Sequence, residues 1–299
     1  MSSITERTLK QYNTGLKLWW EFCQTRKRDP FSVEVSNVLE FLTHQFYRGV
    51  SYSSLNSYRA AIAQIAGPDL SQDYRLQRFF KGVYMLRPSS PKYGNTWDPA
   101  IVLNHLRNKC NSDVSLEILT QKCVTLLALA SGQRLQTLSL IDIRNIHHID
   151  NRIDIHISAR IKTSGRNRLQ PSLQLPYFEK DPNLCVARTL LAYLKRTEAI
   201  RGSITSLFLT IRKPYKKAST QTLGRWVKDI LAKSGIDTKK FTAHSTRHAA
   251  TSAAARKGLN FDTIRLAAGW SKNSKMFAEV YNRPLVVENE TFAETILSL

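Results

Sequence analysis

The chain has 299 residues, 42% of them hydrophobic, with 12 Gly and 10 Pro. This is an ordinary globular composition with room for two packed domains, and it excludes a collagen-like or low-complexity polymer. Lys and Arg number 44 against 23 Asp and Glu, a net charge of +21, which points to a polyanionic partner, nucleic acid being the commonest.

The basic residues recur from Arg7 to Arg283, and the sign reverses only near the end, at Glu288, Glu290 and Glu294. A positive field spread through the body of the chain suits a protein that wraps DNA better than one trailing a basic arm. Cys23, Cys110, Cys123 and Cys185 form neither a CxxC pair nor a zinc spacing, so reduced thiols in a cytosolic or nuclear protein are expected. The first residues carry no apolar signal core, and no apolar run approaches the roughly 18 residues of a membrane span.

Leu9, Leu16, Trp19, Trp20 and Cys23 fall on one side of a first helix, expected to stop at Asp29-Pro30 because proline disfavours helix before it. Val35, Val38, Leu39, Leu42 and Phe46 mark a second helix. A third, capped by Ser53 or Ser54, carries Leu55, Tyr58, Ile62 and Ile65 and ends at Gly67-Pro68. A fourth is expected from Ser71 to Met85. The Pro-, Ser- and Gly-containing stretch from Arg87 to Thr96 then breaks the pattern. This gives a helical domain over 1–88, a linker over 89–97 and a second domain over 98–284, followed by a C-terminal segment, 285–299.

In the second domain the pattern predicts helices near 98–109 and 116–131. From Arg152, Ile153, Ile155 and Ile157 alternate with polar residues in a strand reaching Ile161. Thr163-Ser-Gly-Arg-Asn supplies a turn, and Leu169 to Leu175 a return strand. Helices follow near 184–197, 219–234, 245–257, 261–268 and 273–282.

Three local patterns bear side chains suited to phosphate chemistry. In Ser131-Gly-Gln-Arg134-Leu-Gln-Thr a helix ends at Gly132, and the junction can hold the Arg134 guanidinium rigidly; a surface arginine past a C-cap would read the same. In His244-Ser-Thr-Arg247-His248 the spacing of three puts His244 and Arg247 on one helical face, where both can donate to phosphate oxygens. The plainer alternative is a capping His244 and a solvated Arg247. His248 is expected to turn off that face and to be structural. In Gly269-Trp270 and Tyr281-Asn-Arg-Pro, an indole N–H is a donor and a phenol a nucleophile, although single aromatics are more often core.

Their order carries more than any one of them. Arg134, a hairpin bearing Lys162, His244-x-x-Arg247, Gly269-Trp270 and Tyr281-x-x-Pro resemble the tyrosine recombinase (phage integrase) family over essentially the whole chain. The wording Ser-Gly-Gln-Arg-Leu-Gln-Thr-Leu, His-Ser-Thr-Arg and Tyr-Asn-Arg-Pro is most similar to recombinases of eukaryotic mobile elements, the Crypton and Ngaro/DIRS type. The resemblance implies a mainly α fold with a small antiparallel sheet, arranged as a two-domain, C-shaped DNA clamp. A helical, SAM-like core-binding domain would precede a mixed α/β catalytic domain.

It also implies roles. Tyr281 would attack the scissile phosphate and form a 3′-phosphotyrosyl bond, without metal, ATP or other cofactor. Arg134 and Arg247 would hold the phosphate oxygens and stabilise the transition state. Lys162 would be the general acid at the leaving 5′-oxygen, with Arg160 and Arg166 as rivals and a plain phosphate contact as its alternative. His244 would assist proton transfer at the tyrosine, since a free phenol ionises only near pH ~10, or hold the phosphate. Trp270 would donate its indole N–H. The partner implied is double-stranded DNA, bound by a homo-oligomer, usually four protomers on two sites, in the host nucleus for a eukaryotic element and otherwise in the cytoplasm. Phe292, Ile296 and Leu297 would dock on a neighbour or on their own protomer.

Two departures stand out. Thr137 occupies a position that is usually acidic in the family, and eleven residues separate Trp270 from Tyr281 where nine is usual; the extra two are expected in the Ser271–Lys275 loop. A non-catalytic DNA-binding protein and a type IB topoisomerase are the alternatives. Tyr193 stands in the wrong order to be the nucleophile.

Overall fold

The computed structural model describes residues 4–88, 92–165, 170–271, 274–275, 277–285 and 297–298. The chain divides into two compact units, Met1–Pro91 and Lys92–Leu299.

The first unit packs four helices: α1 (Glu6–Thr25), α2 (Val35–Tyr47), α3 (Tyr52–Ala66) and α4 (Tyr74–Leu86). Their apolar stripes meet in a core of Trp19, Phe22, Phe41, Leu42, Leu55, Ile62, Leu76 and Phe80. Each such side chain contributes about 1.5–3 kcal/mol by leaving water. The Trp19 indole N–H donates to the Pro30 carbonyl at 3.0 Å, so its one polar atom is satisfied inside the core.

Three boundaries differ from the sequence expectation. α1 ends four residues before Asp29, because Lys27 adopts a left-handed φ of 52° and the Arg28 N–H turns back to the Cys23 carbonyl. That reversal brings Arg26 and Arg28 onto Glu40, at 3.0 and 2.7 Å. The cap of α3 is Ser51, whose hydroxyl accepts from the Ser54 N–H. α4 begins after Asp73, which caps it, and the preceding Pro68–Gln72 forms a 3₁₀ turn.

The second unit is built around α6 (Leu116–Ser131), which is buried along most of its length and so reads as apolar on nearly every side. Against it lie α8 (Val186–Arg201), α9 (Thr220–Lys233) and α10 (Ser245–Arg256), and α5 (Pro99–Arg107) packs on α9 and α10. The short helices α7 (Leu135–Leu138) and α11 (Phe261–Ala267) and a π-helical turn, Phe277–Tyr281, complete it.

The sheet has three antiparallel strands in the order β1 (Ile146–Ile149), β2 (Arg152–His156) and β3 (Ser172–Pro176). Register pairs Ile153 with Leu175 and Ile155 with Leu173, placing all four on the core face. β1 was not legible in the sequence: Ile-His-His-Ile lacks the alternation of a half-buried strand, and most of it is exposed at the sheet edge. β2 is shorter than expected. Among the described residues, the only ladder-like bond beyond His156 runs from the Ile157 N–H to the Pro171 carbonyl, and proline has no N–H to return.

Past Ile157, Ile161 is buried again, and its carbonyl accepts from the Ser164 N–H in a turn with exposed Lys162 near its tip. The rival Arg160 is exposed, while Arg166 and the start of the expected return strand at Leu169 lie outside the described residues. So does most of the C-terminal segment, including Phe292 and Ile296 and with them the docking expectation. The expected helix over 273–282 is replaced, where described, by the π turn. Among the described residues no helix is long and apolar enough to cross a membrane, and no group of three or more His, Cys, Asp or Glu is disposed to hold a metal.

Candidate active site

α6 delivers the first arginine. The helix closes on Gly132 at a left-handed φ of 58°, a conformation glycine adopts without strain, and Arg134 follows as the N-cap of α7. Its side chain is half-buried and makes no hydrogen bond or ion pair among the described residues. The Gly132 carbonyl, freed by the turn, accepts from Arg247 Nη1 at 2.7 Å, and the Ala268 carbonyl accepts from the same nitrogen at 2.8 Å. Arg247 therefore ties the ends of α6 and α11 together from within α10. Its side chain is 0% exposed, and Nε and Nη2 have no hydrogen-bond partner among the described residues.

The indole of Trp270 lies over the Arg247 guanidinium at 4.1 Å, a cation–π contact. Its Nε1 is buried and has no hydrogen-bond partner among the described residues. Gly269 precedes it at φ 67°, where any Cβ would meet the Gln133 amide at 3.0 Å; that amide donates to the Ala267 carbonyl. Arg247, Trp270 and the turn after α6 thus form one interlocked floor.

Tyr281 completes the group. Its hydroxyl is 3.0 Å from His244 Nε2, its ring lies 4.8 Å from Trp270 and its centroid 5.1 Å from the Arg247 carbon. The π turn presents it, closed by the Asn282 N–H on the Phe277 carbonyl, and Ser252 pins the backbone by donating to the Tyr281 carbonyl at 2.7 Å. A π turn holds one residue more than an α turn, so part of the longer Trp270-to-Tyr281 spacing is taken up there. Lys272 and Asn273 of the expected loop lie outside the described residues.

His244 keeps contact with solvent, yet burial of its inner edge, then the charges of Arg247, Arg134, Lys92 and Lys162, push its pKa down to about 4. The ring is neutral at pH 7 and can accept a proton. Arg247 is pushed down to about 9 by burial and by Arg134, and stays charged. Thr137 is buried in α7 and brings no charge.

Of the six residues singled out from sequence, His244, Arg247, Trp270 and Tyr281 touch one another, and Arg134 acts on His244 and Arg247 through its charge. Lys162 stands further out, exposed and in no hydrogen bond or ion pair among the described residues, reaching His244 only through its field.

The expectation that His248 turns off the face shared by His244 and Arg247 fails. It follows His244 by four positions, and residues four apart share a helical face. Its ring stacks on Tyr281 at 4.3 Å and 27°, and meets His244 edge-on at 5.9 Å. Tyr93, Trp97 and Ser252 were missed altogether. The Tyr93 hydroxyl is 2.6 Å from Thr242 Oγ1, and the Trp97 indole donates to Ser245 at 2.8 Å, so both brace the turn that carries His244. Nothing local in the sequence marks them, because Tyr93 and Trp97 act across nearly 150 residues and Ser252 across 29.

A mainly helical unit with a three-stranded antiparallel sheet, holding a buried tyrosine against histidine and arginine, defines the catalytic fold of a tyrosine recombinase. The Phage integrase family model matches residues 102–286, more than half of the chain, and the protein belongs to that family. Among solved structures it is similar in fold to the Tn1549 transposon integrase in complex with transposon right-end DNA, at 16% identity and a TM-score of 0.64, covering 99% of this chain and 94% of that one. It is similar also to XerH site-specific recombinase bound to palindromic difH, at 15% and 0.62, covering 96% and 78%. A lambda integrase tetramer bound to a Holliday junction matches at 14% and 0.55, covering 96% and 75%. No curated protein matches by sequence.

Proposed function

We propose that the protein breaks and rejoins duplex DNA by transesterification, with Tyr281 as nucleophile. The phenol oxygen attacks the scissile phosphorus and its proton passes to His244 Nε2. A 3′-phosphotyrosyl ester forms as the bond to the 5′-oxygen breaks, and that oxygen leaves with a proton from Lys162. A 5′-hydroxyl from a second strand then attacks the ester and reverses each transfer, so the bond energy is kept and no nucleotide is consumed. Arg134, Arg247 and Trp270 donate to the non-bridging oxygens, where charge grows in the transition state.

The observation that carries this reading is the 3.0 Å contact between Tyr281 Oη and His244 Nε2, set among buried donors with no partner of their own. Buried polar groups are normally satisfied; several unsatisfied donors converging on one tyrosine call for an anionic ligand. The net charge of +21 supports duplex DNA as its source, as do the DNA complexes of the structural neighbours.

The first unit would serve as the core-binding domain, and several protomers would assemble on paired sites, as the lambda integrase tetramer does on its junction. The Crypton and Ngaro/DIRS-like wording supports a role in integration or excision of a eukaryotic mobile element, and hence action in the nucleus.

The test is a nicked suicide duplex whose cleaved fragment diffuses away. Wild type should yield a covalent protein–DNA adduct on a denaturing gel, and Tyr281→Phe should bind equally well and yield none. Binding without adduct by the wild type would leave a non-catalytic DNA-binding protein, and relaxation of supercoils by a monomer on many sequences would make it a topoisomerase. Log affinity should also fall steeply with log salt, by roughly 0.9 per phosphate neutralised.

A further inference from the structure

We propose that His248 is a positioning residue for the nucleophile: its ring face fixes the plane of the Tyr281 phenol, and Tyr93 holds His248 in place from behind. This rests on the strand-transfer reading of Tyr281 and adds a residue to it.

A tyrosine nucleophile must present one lone pair of its oxygen in line with the bond to be broken. The hydrogen bond to His244 locates that oxygen but leaves the ring free to roll about it, and Ser252 fixes only the backbone. The plane of the ring is set by its neighbours. Trp270 meets it obliquely, at 51°, whereas His248 lies nearly parallel at 27°, with centroids 4.3 Å apart. His248 is thus the broad surface on which the phenol rests.

The polar atoms of His248 have no competing duty. The side chain is 5% exposed, Nδ1 is buried without a partner, and no hydrogen bond from the ring is found among the described residues. What the ring does make are aromatic contacts. Tyr93 meets it edge-on at 5.0 Å, and the Tyr93 hydroxyl is itself held by Thr242, through Oγ1 at 2.6 Å and the N–H at 3.3 Å. Thr242, Tyr93, His248 and Tyr281 form a continuous chain of contacts, a hydrogen bond, an edge-on pair and a stacked pair, that begins beside the segment bearing His244. Three residues on from Tyr93, the Thr96 N–H donates to the Pro284 carbonyl at 2.8 Å, just past Tyr281 in the chain. One short segment therefore references both the base and the nucleophile.

The role is separable from simple filling of space. A phenylalanine keeps a flat face and loses only the nitrogens, whereas a leucine fills similar volume without defining a plane. In single-turnover cleavage of the suicide duplex at saturating protein, His248→Leu should slow adduct formation on the order of 10- to 100-fold, and His248→Phe should stay within about threefold of wild type, since small misplacements of a reacting group cost rates of that size. DNA affinity should match wild type in both, and neither should lose melting temperature at pH 7. A 5′-bridging sulfur at the scissile bond, which departs without a proton donor, should restore Lys162→Ala but not His248→Leu.

A second measurement does not depend on activity. In the full chain without DNA, nitration of Tyr281 by tetranitromethane, read by peptide mass spectrometry, should rise several-fold in His248→Leu and not in His248→Phe. If the wild type forms no adduct, strand transfer fails as a reading, and the nitration comparison still decides whether His248 holds the ring. Wild-type cleavage and nitration in His248→Leu would overturn the proposal, as would a His248→Phe variant as impaired as His248→Leu.

Discussion

The core of the first unit and the pocket around Tyr281 are both buried and aromatic, yet they are finished differently. In the first, Trp19 packs against Phe22 and Phe41 and gives its one N–H to Pro30, while the charges of Arg26, Arg28 and Glu40 pair at the surface. In the second, Trp270 is as well packed, but among the described residues its N–H has no acceptor, and Arg247 Nε and Nη2 and His248 Nδ1 are left equally without a hydrogen bond. An unpaired buried polar group costs about 1–3 kcal/mol. A fold that carries several in one place has traded stability there for a site that a ligand completes. The first region is optimised for its own folding, the second for something it does not contain.

That contrast can be broken from either side. The largest effect on folding belongs to the first region: Phe41→Ala, at a side chain 0% exposed, should cost about 3–5 kcal/mol in chemical denaturation, with cleavage per folded molecule unchanged. Arg134→Ala should do the reverse, slowing adduct formation by about 10²–10³ while stability stays within about 0.5 kcal/mol. A stability loss comparable with that of Phe41→Ala would mean that Arg134 is structural.

Trp270→Phe removes only the unpaired indole N–H and keeps the ring over Arg247. It should cost roughly tenfold in cleavage, the worth of about one hydrogen bond, with no loss of melting temperature.

A pH titration sharpens the same point. Burial, then the neighbouring His244, Arg283 and Arg247, push His248 down to about 4 from 6.5. Between those values the unfolded chain binds a proton that the folded chain refuses, so stability rises with pH across that window and is lost as pH falls. His248→Phe should flatten the slope by up to about 1.4 kcal/mol per pH unit. Cleavage should fall as pH drops toward about 4, where His244 gains its proton. The smallest effect is expected at the surface: Glu40→Gln, which removes the partner of two half-exposed arginines, should cost under about 1 kcal/mol.

Most helices were legible because their apolar positions recur every three or four residues and because Pro68, Gly132 and Pro30 punctuate them. The caps were not, since Ser51, Ser53 and Ser54 are equivalent as types and only the path of the chain chooses among them. β1 hid for a related reason: His147 and His148 satisfy an exposed edge strand as well as a loop. In the site, Arg134, His244, Arg247, Trp270 and Tyr281 could be named from their types and order. Their contact could not, and His248 was dismissed although a spacing of four from His244 placed it on the same helical face.

The sequence by itself determined the periodicities that make helices, the chain order of the reactive side chains and the positive charge, because these are properties of neighbours along the chain or of simple sums. Only the tertiary structure decided which donors would be left unpaired, that a π turn would carry Tyr281, and that Tyr93 and Trp97 would brace a turn some 150 residues away. Those outcomes depend on which carbonyls and rings arrive together when the core closes, and no local pattern of residues encodes an arrival.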